Sequence, residues 1–315
     1  MTLRFAHKTA WITGGGTGLG RAMAIELARQ GAFVALSGRR HDRLEEVAAT
    51  IAAQGGRALA VACDVRDPDA VAKTIKVVID AFKKLDIAVA NAGFAVSGRI
   101  CELAPDDWRR QFDTNVFGLI NTTRYALPYL HQTNGRMVLL GSIASFLPTV
   151  GLGPYNASKY AVRSIGETLA AELYGTGVTC TTIHPGLVAS EIHLVDNLGR
   201  LNPTNRDRRP SFLLWDTEAA ARVMVHAIYK RKRAFTFTRH GRLGAFFGRH
   251  IPLLTHHLIG IRAAAKNRRK LAAALAATTA RPVRAPPMPT EASPQDAPSQ
   301  GTSSQQTRTL ADKAL

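Results

Sequence analysis

Tyr155 and Lys159 stand four residues apart in the run Tyr155-Asn156-Ala157-Ser158-Lys159. On a helix that spacing puts a phenol and an ammonium on one face. A nearby ammonium favours phenolate and draws a tyrosine towards the range in which it can trade protons with a substrate oxygen. Ser142, thirteen residues earlier, follows an apolar strand-like run, and Asn115 lies further upstream in a helical stretch. A tyrosine and a lysine at this spacing are common by chance, so the pair alone decides nothing.

A second group of residues suits phosphate. Thr13-Gly14-Gly15-Gly16-Thr17-Gly18-Leu19-Gly20 joins an apolar run to an amphipathic one. A glycine turn between strand and helix lets the backbone approach a pyrophosphate and aims the helix N-terminus at its charge. The run does not fit GxGxxG; it fits TGxxxGxG at Thr13, Gly14, Gly18 and Gly20. At the end of the second strand, where a carboxylate would mark NAD, the chain reads Gly38-Arg39-Arg40. Guanidinium groups without a carboxylate suit a 2′-phosphate, so NADP(H) is expected over NAD(H).

These groups need a scaffold that gathers them. Ala10–Thr13, Phe33–Ser37, Ala58–Ala62, Ile87–Ala90, Met137–Leu140, Thr179–Ile183 and Ala234–Thr238 read as strands. Gly20–Gln30, Arg43–Gln54 and Ala70–Lys83 read as amphipathic helices between them. Alternation of this kind, with strands apolar on both faces, predicts an α/β fold: a parallel sheet of about seven strands sandwiched by helices in one domain. That domain is expected over residues 1–238. Residues 239–280 read as a basic amphipathic helical extension broken at Pro252, and residues 281–315, rich in Pro, Ser, Thr and Gln, as a disordered tail.

Taken together, TGxxxGxG, Asn91-Ala92-Gly93, Asn115, Ser142, Tyr155, Lys159 and Pro185-Gly186 resemble the short-chain dehydrogenase/reductase family in order and spacing over about residues 5–238. The resemblance implies a one-domain, doubly wound Rossmann-type sheet and nicotinamide-dependent interconversion of a carbonyl and an alcohol. It makes Tyr155 the general acid, Lys159 the ribose-binding group that holds down the tyrosine pKa, and Ser142 a donor to the substrate oxygen. Asn115 would position a water that relays protons to Lys159. Thr13, Gly14, Gly18, Leu19, Gly20, Arg39, Arg40, Asp64, Val65, Asn91, Gly93, Tyr155, Lys159, Pro185, Gly186 and Ser190 would contact the cofactor, Asp64 and Val65 at the adenine. Ser190 stands where the family usually has threonine. Ala90-Asn91 and Gly141-Ser142 stand where it usually has Asn-Asn and Ser-Ser. The resemblance also implies a homodimer or homotetramer built through the helices that carry Asn115 and Tyr155.

The chain of 315 residues has a formal net charge of +18. Residues 219–290 carry 15 Lys and Arg and no Asp or Glu, so the excess belongs to one C-terminal stretch and the rest is close to neutral. Leu243, Phe246, Phe247, Ile251, Leu254, Leu258 and Ile261 recur there every three to four residues. A basic amphipathic segment of this kind suits an anionic membrane interface through residues 239–275, or packing over the enzyme's own cleft or a second subunit. Nucleic acid is disfavoured because no stacking platform accompanies the charge. His240, His250, His256 and His257 show no metal-ligand spacing and read as solvated or interfacial. Cys63, Cys101 and Cys180 are too dispersed for a disulfide framework. No apolar leader precedes the first strand, so a cytoplasmic protein is expected, with peripheral contact at the inner face of a membrane. The apolar piece Phe212–Trp215 in the lid segment Ser190–Trp215, with Phe94, Val96, Phe146 and Leu147, suggests a hydrophobic, lipid- or steroid-like ketone or alcohol. The alternative function is a non-catalytic NADP-binding protein at a membrane surface or on nucleic acid.

Overall fold

The computed structural model describes residues 3–200, 209 and 211–279. Seven parallel strands form one sheet: β1 (Thr9–Thr13), β2 (Phe33–Gly38), β3 (Arg57–Ala62), β4 (Ile87–Ala90), β5 (Arg136–Leu140), β6 (Thr179–Ile183) and β7 (Ala234–Phe235). Their spatial order is β3-β2-β1-β4-β5-β6-β7. The connection therefore changes direction at β1, which pairs with β2 on one side and β4 on the other. In an open parallel sheet, the crevice beyond the strand ends at such a reversal is where ligands bind.

Side chains alternating along β1 explain why both faces must be covered. Ala10 and Ile12 pack with Met23 and Leu27 of α1 (Gly18–Arg29), Leu44 and Val47 of α2 (His41–Ala53), and Met224 and Val225 of α7 (Thr217–Tyr229). Trp11 points the other way. It packs with Val71 and Ile75 of α3 (Pro68–Phe82), Leu130 of α5 (Gly118–Gln132) and Val162 of α6 (Gly153–Glu172), and its indole N–H donates to Ser37 Oγ at 2.9 Å. Local chemistry sets the helix ends. Asp67 caps the amides of Asp69 and Ala70 before Pro68 opens α3, and Asp216 caps Ala219 at the start of α7.

Two irregularities shape the site. Between α4 (Pro105–Phe112) and α5, residues Asp113–Phe117 make a π turn in which the Gly118 amide reaches back to the Asp113 carbonyl. β7 has only two residues, although the sequence suggested a strand to Thr238. Phe237 instead packs on Trp215, ring centroids 5.4 Å apart, and Thr238 caps α8 (Arg239–His250) by accepting from the Gly241 amide at 3.0 Å. As the break at Pro252 implied, the helix restarts there as α9 (Pro252–Thr279). The chain divides into two units, Met1–Lys266 and Asn267–Leu315; of the second, residues 267–279 are helical. The tail read as disordered, 281–315, lies outside the described residues. Among the described residues no helix is long and apolar enough to cross a membrane.

The tightest point is the turn after β1. A β-carbon on Gly20 would stand 2.2 Å from the Gly14 carbonyl oxygen, a backbone atom that cannot swing aside. Gly20→Ala is therefore expected to cost about 1–3 kcal/mol by overpacking. Thermal unfolding should show a drop of several degrees, whereas Gly55→Asn, in open space at φ +77, should be close to neutral.

Candidate active site

The glycine turn is held from behind. Asn91, just past β4, donates from Nδ2 to the carbonyls of Thr13 at 2.9 Å and Gly14 at 3.1 Å. The Thr13 hydroxyl accepts from the amides of Asn91 and Ala92 and donates to the Val89 carbonyl. Gly14, at φ +65, comes so close to this clasp that a β-carbon would meet Ala92 Cα at 2.9 Å. Thr13 and Asn91 thus shape the turn. Gly18, at φ +51, faces outward, with only Ser190 Cβ nearby at 3.7 Å. Thr17 makes no side-chain cap to α1, and the first turn of α1 holds no acid. Its leading amides are therefore the ones an anion would meet. The turn fits a pyrophosphate on these grounds.

Beyond β2, Arg39 and Arg40 are exposed, as a 2′-phosphate would require. Arg39 donates to the Gly199 carbonyl of the lid at 3.2 Å, and Arg40 donates to the Thr17 hydroxyl at 3.3 Å. Asp64 is locked to Arg66, which grips both carboxylate oxygens. Burial opposes ionisation of Asp64, but these bonds outweigh it and hold the carboxyl below its usual range. Val65 is buried against α5, where a β-carbon on Gly118 would meet its Cγ2 at 2.5 Å. The Val65 side chain is therefore taken up by packing, which leaves its backbone as the part open to a ligand.

Tyr155 and Lys159 share one face of α6, as their spacing requires, with Lys159 Nζ 5.8 Å from the tyrosine ring centroid. Lys159 is buried and donates to the Leu140 carbonyl at 2.7 Å. Burial pushes its ammonium down to about 8. The expectation that Lys159 lowers the phenol pKa meets a different arrangement here. Burial raises the Tyr155 phenol above its ordinary value, opposed by the Ser142 hydroxyl and then by the charge of Arg209. With Lys159 turned to the end of β5, Ser142 supplies the main stabilisation of a phenolate. Its own Oγ accepts from the Ala144 amide at 3.1 Å, which orients the hydroxyl.

Asn115 is reached through the π turn and is fully buried. Its Oδ1 accepts from the Phe94 amide, and its Nδ2 donates to the Phe94 carbonyl and to Ser158 Oγ, each at 3.1 Å. Ser158 in turn donates to the Tyr155 carbonyl at 2.7 Å. The carboxamide is thus spent on the loop after β4 and on the first turns of α6. Gly93 leaves room for it, since a β-carbon there would lie 3.0 Å from Oδ1.

Some site residues escaped sequence reasoning. His184, before Pro185, lies beneath Ser142. Its ring packs on Phe146 at 4.8 Å and its Nδ1 is 3.3 Å from the Ser142 carbonyl. It also explains Gly141: a β-carbon there would come within 2.5 Å of Nδ1. A histidine next to Pro-Gly carries no signal of this in the sequence. His240, read as solvated or interfacial, instead accepts from the Leu187 amide at 3.0 Å and flanks Gly186, so it holds the Pro185–Leu187 loop against α8. Of the residues expected to line the cleft, Phe94 and Phe146 are largely buried, Val96 is wholly inside, and Phe212 is 84% exposed. Among the described residues no cluster of His, Cys, Asp and Glu could hold a metal.

Comparison with known proteins agrees with this architecture. The model of the short chain dehydrogenase family matches residues 8–197. Serine 3-dehydrogenase of Agrobacterium fabrum is 33% identical over 232 residues, covering 70% of this chain and 92% of that one. A short-chain dehydrogenase/reductase of Burkholderia phymatum, solved with NAD, superposes with a TM-score of 0.68 at 28% identity, covering 76% of this chain and 92% of that one. A short-chain dehydrogenase of Burkholderia cenocepacia, solved with NADP, gives 0.65 at 31% identity, covering 74% and 97%. The chain belongs to the short-chain dehydrogenase family. It is an oxidoreductase of that family's NAD(P)-dependent class.

The buried imidazole has a measurable consequence. Burial pushes His184 down to about 4 from the usual 6.5. Between these values the unfolded chain binds a proton that the folded chain refuses, so the stability present above pH 6.5 is lost as pH falls towards 4. The loss should amount to about 3 kcal/mol. Urea midpoints across this range should show it, and His184→Asn should flatten the slope.

Proposed function

We propose that the protein is an NADP(H)-dependent oxidoreductase that interconverts a ketone or aldehyde and an alcohol, with Tyr155 as general acid and base. The observation that carries this reading is the convergence of the Tyr155 phenol, the Ser142 hydroxyl and buried Lys159 beside an intact glycine turn. Gly14–Gly20 and the α1 amides would hold the pyrophosphate, Arg39 and Arg40 the 2′-phosphate, and Ser190 with Pro185-Gly186 the nicotinamide end. The nicotinamide supplies the hydride in reduction and accepts it in oxidation.

In reduction the substrate oxygen accepts hydrogen bonds from Tyr155 Oη and Ser142 Oγ. The phenol, held protonated by its burial, gives up its proton as negative charge develops on that oxygen. Ser142 serves both states, donating to the substrate oxygen and to the phenolate left behind. Asn115 works through Ser158 on the backbone at Tyr155 and keeps the phenol in place. Exposed Phe117, Ile120 and Tyr160, on the α5 and α6 side, support a homodimer or homotetramer. The catalytic groups are all present, so the non-catalytic alternative has no support.

The apolar neighbours Phe94, Phe146 and Leu147 favour a hydrophobic substrate. A second reading, a hydroxy acid, rests on Arg209, whose charge acts on Tyr155 from the lid, and on the serine 3-dehydrogenase relative. A panel of steroids, long-chain keto-lipids and hydroxy acids, followed by NADPH turnover, separates the two. On a good substrate Tyr155→Phe should lower kcat about 10²–10⁴-fold, and unchanged turnover would sink the assignment. Because burial raises the phenol, oxidation should climb into the alkaline range. Ser142→Ala, which removes the main opposing group, should push that climb to still higher pH. Arg39→Ala should weaken NADPH binding at least tenfold while leaving NADH nearly unchanged, and equal effects on both would refute the 2′-phosphate role.

A further inference from the structure

Helix α8 has two unlike faces. On one, Gly241, Gly244 and Gly248 lie against the body. A β-carbon on Gly244 would meet Leu147 Cδ1 at 2.7 Å, and one on Gly248 would meet the Phe146 carbonyl at 2.3 Å. The absence of side chains there lets α8 lie flat on the segment that follows Ser142. The opposite side presents Leu243, Phe246 and Phe247 to solvent, and the start of α9 adds Ile251, Leu253, Leu254, Leu258 and Ile261. Leu253 is 86% exposed and Leu243 58%. Eight of the nineteen large apolar side chains exposed among the described residues fall within residues 243–261. A soluble monomer rarely concentrates so much exposed apolar surface in one short stretch without a partner.

The charge around this ridge selects the partner. Arg239, Arg242, Arg249 and Arg262 border it, and no acid occurs anywhere in residues 219–290. A second copy set face to face would bring arginine against arginine with no carboxylate to pair them. Nucleic acid would meet the arginines but leave the leucines and phenylalanines unused. An anionic lipid surface accommodates both: phosphates take the arginines and the acyl boundary takes the apolar ridge.

We propose that the outer faces of α8 and the first turns of α9 form a docking surface for anionic lipid, holding the enzyme in the membrane interface without spanning it. The glycine face of α8 rests on the segment Ile143–Leu147, so in the docked enzyme only the thickness of α8 separates that segment from the lipid. The contact does not depend on which substrate the site takes.

The test uses the full chain and vesicle flotation. It should float with mixed phosphatidylglycerol–phosphatidylcholine vesicles, float poorly with phosphatidylcholine alone, and detach as ionic strength rises. Arg242→Gln with Arg249→Gln should weaken partitioning roughly 30-fold, since each arginine near an anionic surface is worth about a factor of five. Phe246→Ser with Leu254→Ser should weaken it at least tenfold. Both pairs replace exposed side chains, so thermal unfolding and lipid-free turnover should match the parent. A chain that stays down with anionic vesicles, or variants that float as well as the parent, would overturn the proposal. So would an apolar pair that changes only the sedimenting mass, which would assign the ridge to a second copy, or retention by duplex DNA without lipid binding.

Discussion

The structure turns on a close approach between two stretches of backbone. Gly14 and Gly20 meet at the end of β1 with no space for a side chain on Gly20, and Asn91 reaches across from β4 to hold the carbonyls of Thr13 and Gly14. This contact sits where the sheet reverses direction, and the rest of the site is arranged around it. It sets where α1 begins and therefore where its free amides point. It ties the end of β4 to the turn, so the loop carrying Gly93 and Phe94 has a fixed start. That loop receives Asn115, which reaches α6 through Ser158. From the glycine turn to Tyr155 the linkage runs through the side chains of Asn91, Asn115 and Ser158, each bonded to backbone.

Burial dominates the chemistry at the other end of the chain of contacts. The phenol of Tyr155, the ammonium of Lys159 and the imidazole of His184 are all displaced in the direction that desolvation dictates. Each is shifted towards its neutral form, and the Lys159 ammonium is met by the Leu140 carbonyl. Ser142 is the polar group through which the interior communicates with the cleft. Its hydroxyl meets Tyr155, its Oγ takes the Ala144 amide, and its carbonyl faces His184.

Much of this was legible in the residues. Strand positions followed from apolar runs, because a parallel sheet buried on both faces needs them, and six of seven strands both begin and end within a residue of expectation. β7 was overrun because Phe235 and Phe237 look alike in sequence, yet Phe237 leaves the sheet to pack on Trp215. That Tyr155 and Lys159 share a helix face was visible as an i,i+4 spacing. Their electrostatics were not, because the carbonyl that captures Lys159 belongs to a different element, β5. Hydrophobic periodicity located α8 and α9 but could not tell which side of α8 would dock. Glycines decided that, through what they leave out. His240 illustrates the same limit, since only the fold brings it to the Leu187 amide.

The contact between Gly141 and His184 also gives these two positions a direction of change. With glycine at 141, no side chain at that position opposes a change at 184. The reverse order is closed, since any β-carbon at 141 would arrive 2.5 Å from the imidazole nitrogen. A descendant of this chain could therefore acquire a second serine beside Ser142 only after the histidine had already been lost.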